Sequence, residues 1–330
     1  MTAVSQVAAA FGMPSGSTTP ITVIRRRPVG STGISVHPIA LSGSTFGWSV
    51  SSDAANAILD NYVEGGGNFI QTADHYAGGA SERMIGEWMR IRGNRDDIVV
   101  ASTIGRAGEG ATTAADLVRA ADASLQRLGT DRLDLLNLHG VREDVSVHES
   151  LAAAERLISA GKARAVVAND FSPERLLSAR IAAAHLGAPL FVAVHMTYNL
   201  VQRASFESRA SVLAAAQRLQ VMPKHPLANG FLTGVYRRRD QGARSQRAAL
   251  ALRFLDKRGQ RILAALDRVV ADTGEESATI ALAWLLSKSV VLAPVVSAGS
   301  PKQVRSLQRA VDSPLSREHV LLLDRASDPR

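Results

Sequence analysis

From about residue 38 the chain repeats one pattern. A short apolar or β-branched run is followed by turn residues and then by a stretch with apolar positions at helical spacing. Eight such runs read as strands: Pro38–Ser42, Asn68–Thr72, Asp97–Ser102, Leu133–Leu138, Ala163–Ala168, Leu190–His195, Gln220–Pro223 and Val291–Val296. Ser172-Pro173 and Ser300-Pro301 each place a capping hydroxyl before a proline suited to the first helical turn. Leu151–Ala160 and Ile280–Leu286 carry apolar stripes of helical period. Strands alternating with helices imply parallel pairing through right-handed crossovers, and eight units close into an α/β fold of the (β/α)8 TIM barrel type. A doubly wound open sheet would want a GxGxxG turn after its first strand, and none is present. No low-complexity linker divides the chain. Residues 21–330 therefore read as a single barrel domain, and residues 1–20, small, polar and interrupted by Gly12, Pro14 and Gly16, as a disordered N-terminal extension. The Gly- and Arg-rich segment Asn229–Arg247 follows the seventh strand, where barrel loops face ligands.

Composition narrows the chemistry. The absence of cysteine excludes disulfides, thiolate metal sites and cysteine nucleophiles. No run approaches the ~18 apolar residues of a membrane span, and no signal peptide is evident, so a cytoplasmic location away from the membrane is expected. The net charge of +8 comes largely from arginine clusters such as Arg25-Arg26-Arg27 and Arg237-Arg238-Arg239. Without interleaved aromatics or a recognition motif, these read as solvated surface and not as a nucleic-acid site. Histidines lack the HxH or HxxxH spacing of a zinc site, so no metal is expected. Ala and Arg richness is consistent with a bacterial biosynthetic setting, and nothing in the pattern fixes an oligomeric state.

The chain resembles the aldo-keto reductase superfamily from about residue 26 to 326. The resemblance rests on Thr45-Phe46-Gly47-Trp48, Gly65 through Tyr76, Ser81-Glu82, Asp134 through His139, Asn169 through Glu174, Tyr198-Asn199-Leu200 with Arg203, Pro226-Leu227-Ala228, Gly230 through Gly234, and Ala281 through Leu285. It implies a barrel that reduces carbonyls with NADPH through an Asp, Tyr, Lys, His tetrad. Tyr76 and His139 stand at the matching Tyr and His positions, but Gln71 replaces the Asp and Thr103 the Lys. A tyrosine deprived of that cation is harder to deprotonate. The residues implied to hold the nicotinamide also differ. Asn169 and Asp170 take the place of a Ser-Asn pair, His195 that of a Gln, and Lys224 that of the aromatic that stacks on the ring. Ser297, Gln303 and Leu307 occupy the positions implied to grip the adenosine 2′-phosphate, with Lys302 and Arg305 nearby.

The departures agree in direction, so the sequence predicts a changed task. Tyr76, His139, His195, Lys224 and Asp170 are the expected catalytic residues. They are read as running cofactor-independent acid–base chemistry, a dehydration, isomerisation or cyclisation, on a small polar metabolite. One alternative is a divergent NADPH-dependent carbonyl reductase, with Lys224 as substitute cation for Tyr76 and with Asn169, Gly230, Leu232 and Ser300 contacting the cofactor. A non-catalytic binding or regulatory subunit, like the potassium-channel β subunits of this fold, is the other. Asp170 and Lys224 have a simpler reading as an ion pair across the mouth.

Overall fold

A computed structural model describes residues 26–105, 113–140, 146–244 and 246–329, with side chains of 242–247 left aside. The extension expected at residues 1–20 lies outside the described residues. A short antiparallel hairpin, β1 (Arg27–Pro28) and β2 (Ser35–Val36), precedes the barrel. The barrel strands are β3 (Ala40–Ser42), β4 (Phe69–Ala73), β5 (Val99–Ile104), β6 (Leu133–His139), β7 (Ala163–Asn169), β8 (Phe191–Thr197), β9 (Gln220–Lys224) and β10 (Val295–Val296). Each pairs in parallel with its neighbour, and β10 pairs with β3. A parallel bridge between Val221 and Val291 closes the ring. All eight runs expected from the pattern contain strands, seven of them with ends shifted by at most two residues and the last, Val291–Val296, beginning four residues later than expected. The last is the shortest. Pro294 lacks an amide hydrogen and interrupts its ladder, so the preceding residues complete the closure through Leu292 N–H to the Val221 carbonyl, 2.7 Å.

Helices cover the outside. They include α1 (Ser52–Glu64), α2 (Ala80–Arg92), α3 (Ala114–Leu128), α4 (Val147–Ser159) and α5 (Pro173–Leu186). After β8 come α6 (Ala204–Glu207) and α7 (Arg209–Ala216). Beyond β9 follow α8 (Gln246–Leu252), α9 (Lys257–Thr273), α10 (Ser277–Leu286), α11 (Pro301–Gln308) and α12 (Arg317–Ala326). The predicted caps form: Ser172 Oγ accepts from the Arg175 amide at 3.1 Å, and Ser300 Oγ from the Gln303 amide at 3.4 Å. The segment 229–247 is not an open loop. It contains 3-10 turns at Ala228–Thr233 and Arg239–Arg244, and Arg237 grips Asp267 through two bonds of 2.9 and 2.6 Å.

The core has two parts. Between strands and helices lies a large apolar shell, and α10, apolar on every side, is buried within it. Inside the barrel sits a smaller cluster with Phe69, Ala101, Leu135, Val167, Ala193, Met222 and Leu292. Val29, Ile34 and Val36 of the hairpin belong to that inner cluster, so β1 and β2 plug the N-terminal end of the barrel. The plug is fastened at its rim. Arg27 donates to the Leu286 carbonyl at 2.9 Å and to the Val291 carbonyl, while Gln220 bonds the Gly30 amide and the Pro28 carbonyl. Among the described residues no helix is long and apolar enough to cross a membrane.

A buried charge braces one side. Glu82 on α2 is 0% exposed; its carboxylate accepts from Ser102 of β5 at 2.6 Å and from Arg127 of α3 at 2.6 Å. Replacing Arg127 with Met strands that carboxylate. The expected loss of stability is about 3–5 kcal/mol, read as a lower urea midpoint; an unchanged midpoint would show the pair to be dispensable.

Candidate functional site

Alternate side chains along each strand face the lumen. The lumenal series all change character in one direction: Phe69 then Gln71, Ala101 then Thr103, Leu135 then Asn137 then His139, Val167 then Asn169, Ala193 then His195, Met222 then Lys224. The end plugged by the hairpin is apolar and the C-terminal end is polar. Chemistry is thereby confined to the mouth, as the barrel architecture favours.

Just below the mouth the buried polar groups are neutral. Ser42 donates to Gln71 Oε1 at 3.1 Å, and Gln71 Nε2 donates to the Thr72 carbonyl at 2.6 Å and to Thr103 Oγ1 at 3.5 Å. Asn137 Nδ2 reaches the same threonine oxygen at 3.4 Å. Gln71 and Thr103 therefore sit side by side where the resemblance implies a carboxylate and an ammonium, joined by a weak neutral hydrogen bond. Asp74 is not a displaced replacement. Its carboxylate accepts from the Gly105 amide at 2.9 Å and lies 3.2 Å from His75 Nδ1, fastening the turn after β4.

Charge appears at the rim. Lys224, at the end of β9, forms an ion pair with Asp170 after β7, and its ammonium lies 3.4 Å from Asn169 Oδ1. The ion pair expected as the simpler reading is thus present. His139 stands on the other side of Asp170, with Nε2 at 3.7 Å from the carboxylate. Asp170 holds a φ of 55°, and His225, Ala228 and Asn229 are likewise in the left-handed region at 48°, 48° and 57°. Four non-glycine residues in that region, gathered in the loops after β7 and β9, store strain at the mouth.

His195 is the most confined of the five. It is 3% exposed, and both ring nitrogens are buried without a hydrogen-bond partner among the described residues. Burial, then the charges of Lys224, His225 and His139, hold it well below the ordinary imidazole range. It is a neutral ring with one donor and one acceptor left open, an arrangement that costs stability unless a ligand or water completes it.

Two cavities open at the mouth. The inner one, about 170 Å³, is walled by Tyr76, His195, Lys224 and Gln71, with Ser42 and Ser297 from strand ends on either side. The outer one, about 720 Å³, runs past Tyr236 to Ser300 and Lys302 at the start of α11. They share Leu227, Gly230 and Ser297 as walls, so they lie side by side as the two chambers of a trough. Of the residues expected to act, Tyr76, His195 and Lys224 line the inner cavity, while Asp170 and His139 adjoin it through Lys224. Gly230 lines both cavities and Ser300 the outer one. Asn169 reaches the trough through Lys224. Leu232 does not reach it: its side chain is fully buried in the outer core, because the 3-10 turn that carries Gly230 to the trough rotates residue 232 inward. Trp48 is 82% exposed and lines neither cavity. Ser297, Gln303 and Leu307, at the positions implied for the 2′-phosphate, line the outer cavity. Ser42 and Glu276 also line the trough but are not marked by the sequence reading. Ser42 stands at a strand end, where the barrel rule points; Glu276 precedes a helix remote from any strand end. Among the described residues no group of three His, Asp or Glu is placed to hold a metal.

A sequence model described as the aldo/keto reductase family matches residues 38–328. Norsolorinic acid reductase B of Aspergillus parasiticus is 30% identical over 312 residues, covering 89% of this chain and 81% of that protein. An uncharacterized oxidoreductase of Bacillus subtilis, YrpG, is 27% identical over 90% of this chain and 94% of its own length. A probable voltage-gated potassium channel subunit beta of Oryza sativa is 28% identical over 86% and 90%. The expectation of cofactor-independent dehydration, isomerisation or cyclisation is overturned by these matches, and the expectation of no cofactor falls with it. The substitutions at 71 and 103 alter how the mouth is charged without removing the trough. The chain belongs to the aldo/keto reductase family.

Proposed function

We propose that the protein is a carbonyl reductase that uses a reduced nicotinamide dinucleotide on small polar aldehydes or ketones. The observation that carries this reading is the pair of adjoining cavities, a polar inner one at Tyr76 and His195 and a larger outer one reaching α11. Its residues suit a dinucleotide. The open donor and acceptor of neutral His195 match a carboxamide, which offers the complementary acceptor and donor. Gly230, at φ 96°, lets the backbone turn tightly between the two cavities. Bound there, the dinucleotide supplies a hydride to the carbonyl carbon.

The chain's own residues would supply the proton and the field. Tyr76 donates its hydroxyl proton to the carbonyl oxygen as the new C–H bond forms. The charge left on its oxygen needs a nearby cation, and Lys224 is the cation lining the same cavity. Asp170 fixes the Lys224 ammonium at the rim, and His139 contacts Asp170 from behind, so these two are positioning residues. Gln71 and Thr103 hold the floor of the cavity without adding charge.

Calorimetry tests the reading directly. Reduced dinucleotide is expected to bind with a dissociation constant of micromolar order; no binding up to about 1 mM, weaker than about −4 kcal/mol, overturns it. Tyr76→Phe should lower kcat on an accepted carbonyl by about 10²-fold while dinucleotide affinity stays as in wild type. A matching loss of affinity would instead make Tyr76 a binding residue. Lys224→Met should lower kcat and move its fall at alkaline pH to higher pH, since Tyr76, the proton donor, would then keep its proton further up the scale; an unaltered profile removes Lys224 from the proton step.

The neutral His195 also has a consequence for stability. Its folded pKa lies below the unfolded value of ~6.5, so the unfolded chain binds the extra proton first. The stabilisation is full above that pH and is lost as the pH falls below it. Buried His37 is shifted in the same direction and adds to the slope. Between pH 7.5 and 5.5 the wild-type urea midpoint should drop, and His195→Gln should drop less. Equal drops would mean that His195 is not held neutral by the fold.

A further inference from the structure

We propose that the outer cavity is built for an adenosine with free ribose hydroxyls, so that NADH binds at least as tightly as NADPH. This rests on the dinucleotide reading above and concerns which of the two dinucleotides the trough accepts. Among the described residues the cavity walls carry one cation, Lys302, and one carboxylate, Glu276. Glu276 is fixed at the wall by a hydrogen bond from Ser306 Oγ. The remaining polar lining is neutral: Ser277, Ser297, Ser300, Thr233 and Gln303.

A 2′-phosphate carries a charge of roughly −1.5 to −2 near neutral pH and is best met by the forked donors of arginine. Among the described residues no arginine lines this cavity. Two described guanidinium groups nearby are engaged elsewhere, Arg309 with Glu275 at 2.7 Å and Arg237 with Asp267. Arg305 lies on the exposed face of α11 outside the walls. Gln303, on the cavity wall, accepts a bond from the Gly299 amide at 2.8 Å. What remains on the described walls is one carboxylate and one exposed lysine. A carboxylate accepts hydrogen bonds from vicinal hydroxyls and repels a phosphate, and an acidic residue is the usual partner of an unphosphorylated ribose in dinucleotide sites.

Calorimetry on the full chain, at one fixed salt concentration, decides the matter. NADH and NADPH are titrated as a pair, and 5′-AMP and adenosine 2′,5′-bisphosphate as probes of the outer cavity alone. The expected result is NADH affinity equal to or above that of NADPH, with no gain for the bisphosphate over 5′-AMP. Glu276→Gln, which keeps size and the bond to Ser306, should shift the ratio toward NADPH by about two- to fivefold, the worth of one exposed charge. NADPH bound more than about threefold more tightly than NADH overturns the inference and leaves the reductase reading intact. An unmoved ratio in Glu276→Gln overturns the part assigned to that carboxylate. If neither dinucleotide binds at about 1 mM, the reductase reading itself falls, and the inference with it.

Discussion

The site depends on one constraint: polar side chains sealed in a barrel lumen must satisfy one another or a ligand, because water cannot. Below the mouth Ser42, Gln71, Thr103 and Asn137 meet it with neutral groups alone. A carboxylate and an ammonium at positions 71 and 103 would bring a larger desolvation cost and a stronger field. With amide and hydroxyl there, the charged pair of the mouth is Lys224 with Asp170, nearer solvent.

The left-handed residues show where that shift is accommodated. Asp170 turns at φ 55° as its amide bonds the His195 carbonyl at 3.0 Å, and this brings its carboxylate toward Lys224. His225, at 48°, directly follows Lys224, and its carbonyl is held by Asn199 at 2.9 Å. Neither position is a glycine, so each conformation is kept by its surroundings. The hydrogen bonds that hold these two loops are also the ones that set the distance between the mouth's opposite charges.

The barrel was legible because its signals are local. Alternating runs, a Ser-Pro cap at 172 and another at 300, and an apolar helix at 280 each report on their own few residues. The hairpin plug was not, since two-residue strands have no periodicity and Val29, Ile34 and Val36 gain meaning only from the lumen they enter. At the mouth, strand-end position found Tyr76, His195 and Lys224 and should also have found Ser42. Leu232 misled because the sequence does not show how a 3-10 turn rotates. The activity was misread for a physical reason. Gln71 and Thr103, read position by position, signal the loss of a function, whereas a charge absent from one strand end can be supplied from another that faces the same cavity.

The plug separates the two ends of the molecule. Arg27 and Gln220 lock the chain's entry to the apolar end of the barrel, and the trough opens at the other. A surface tether fixed to the hairpin turn at Thr32 would therefore hold the protein with its mouth turned away from the support. Small molecules would reach an immobilised layer as freely as they reach the protein in solution.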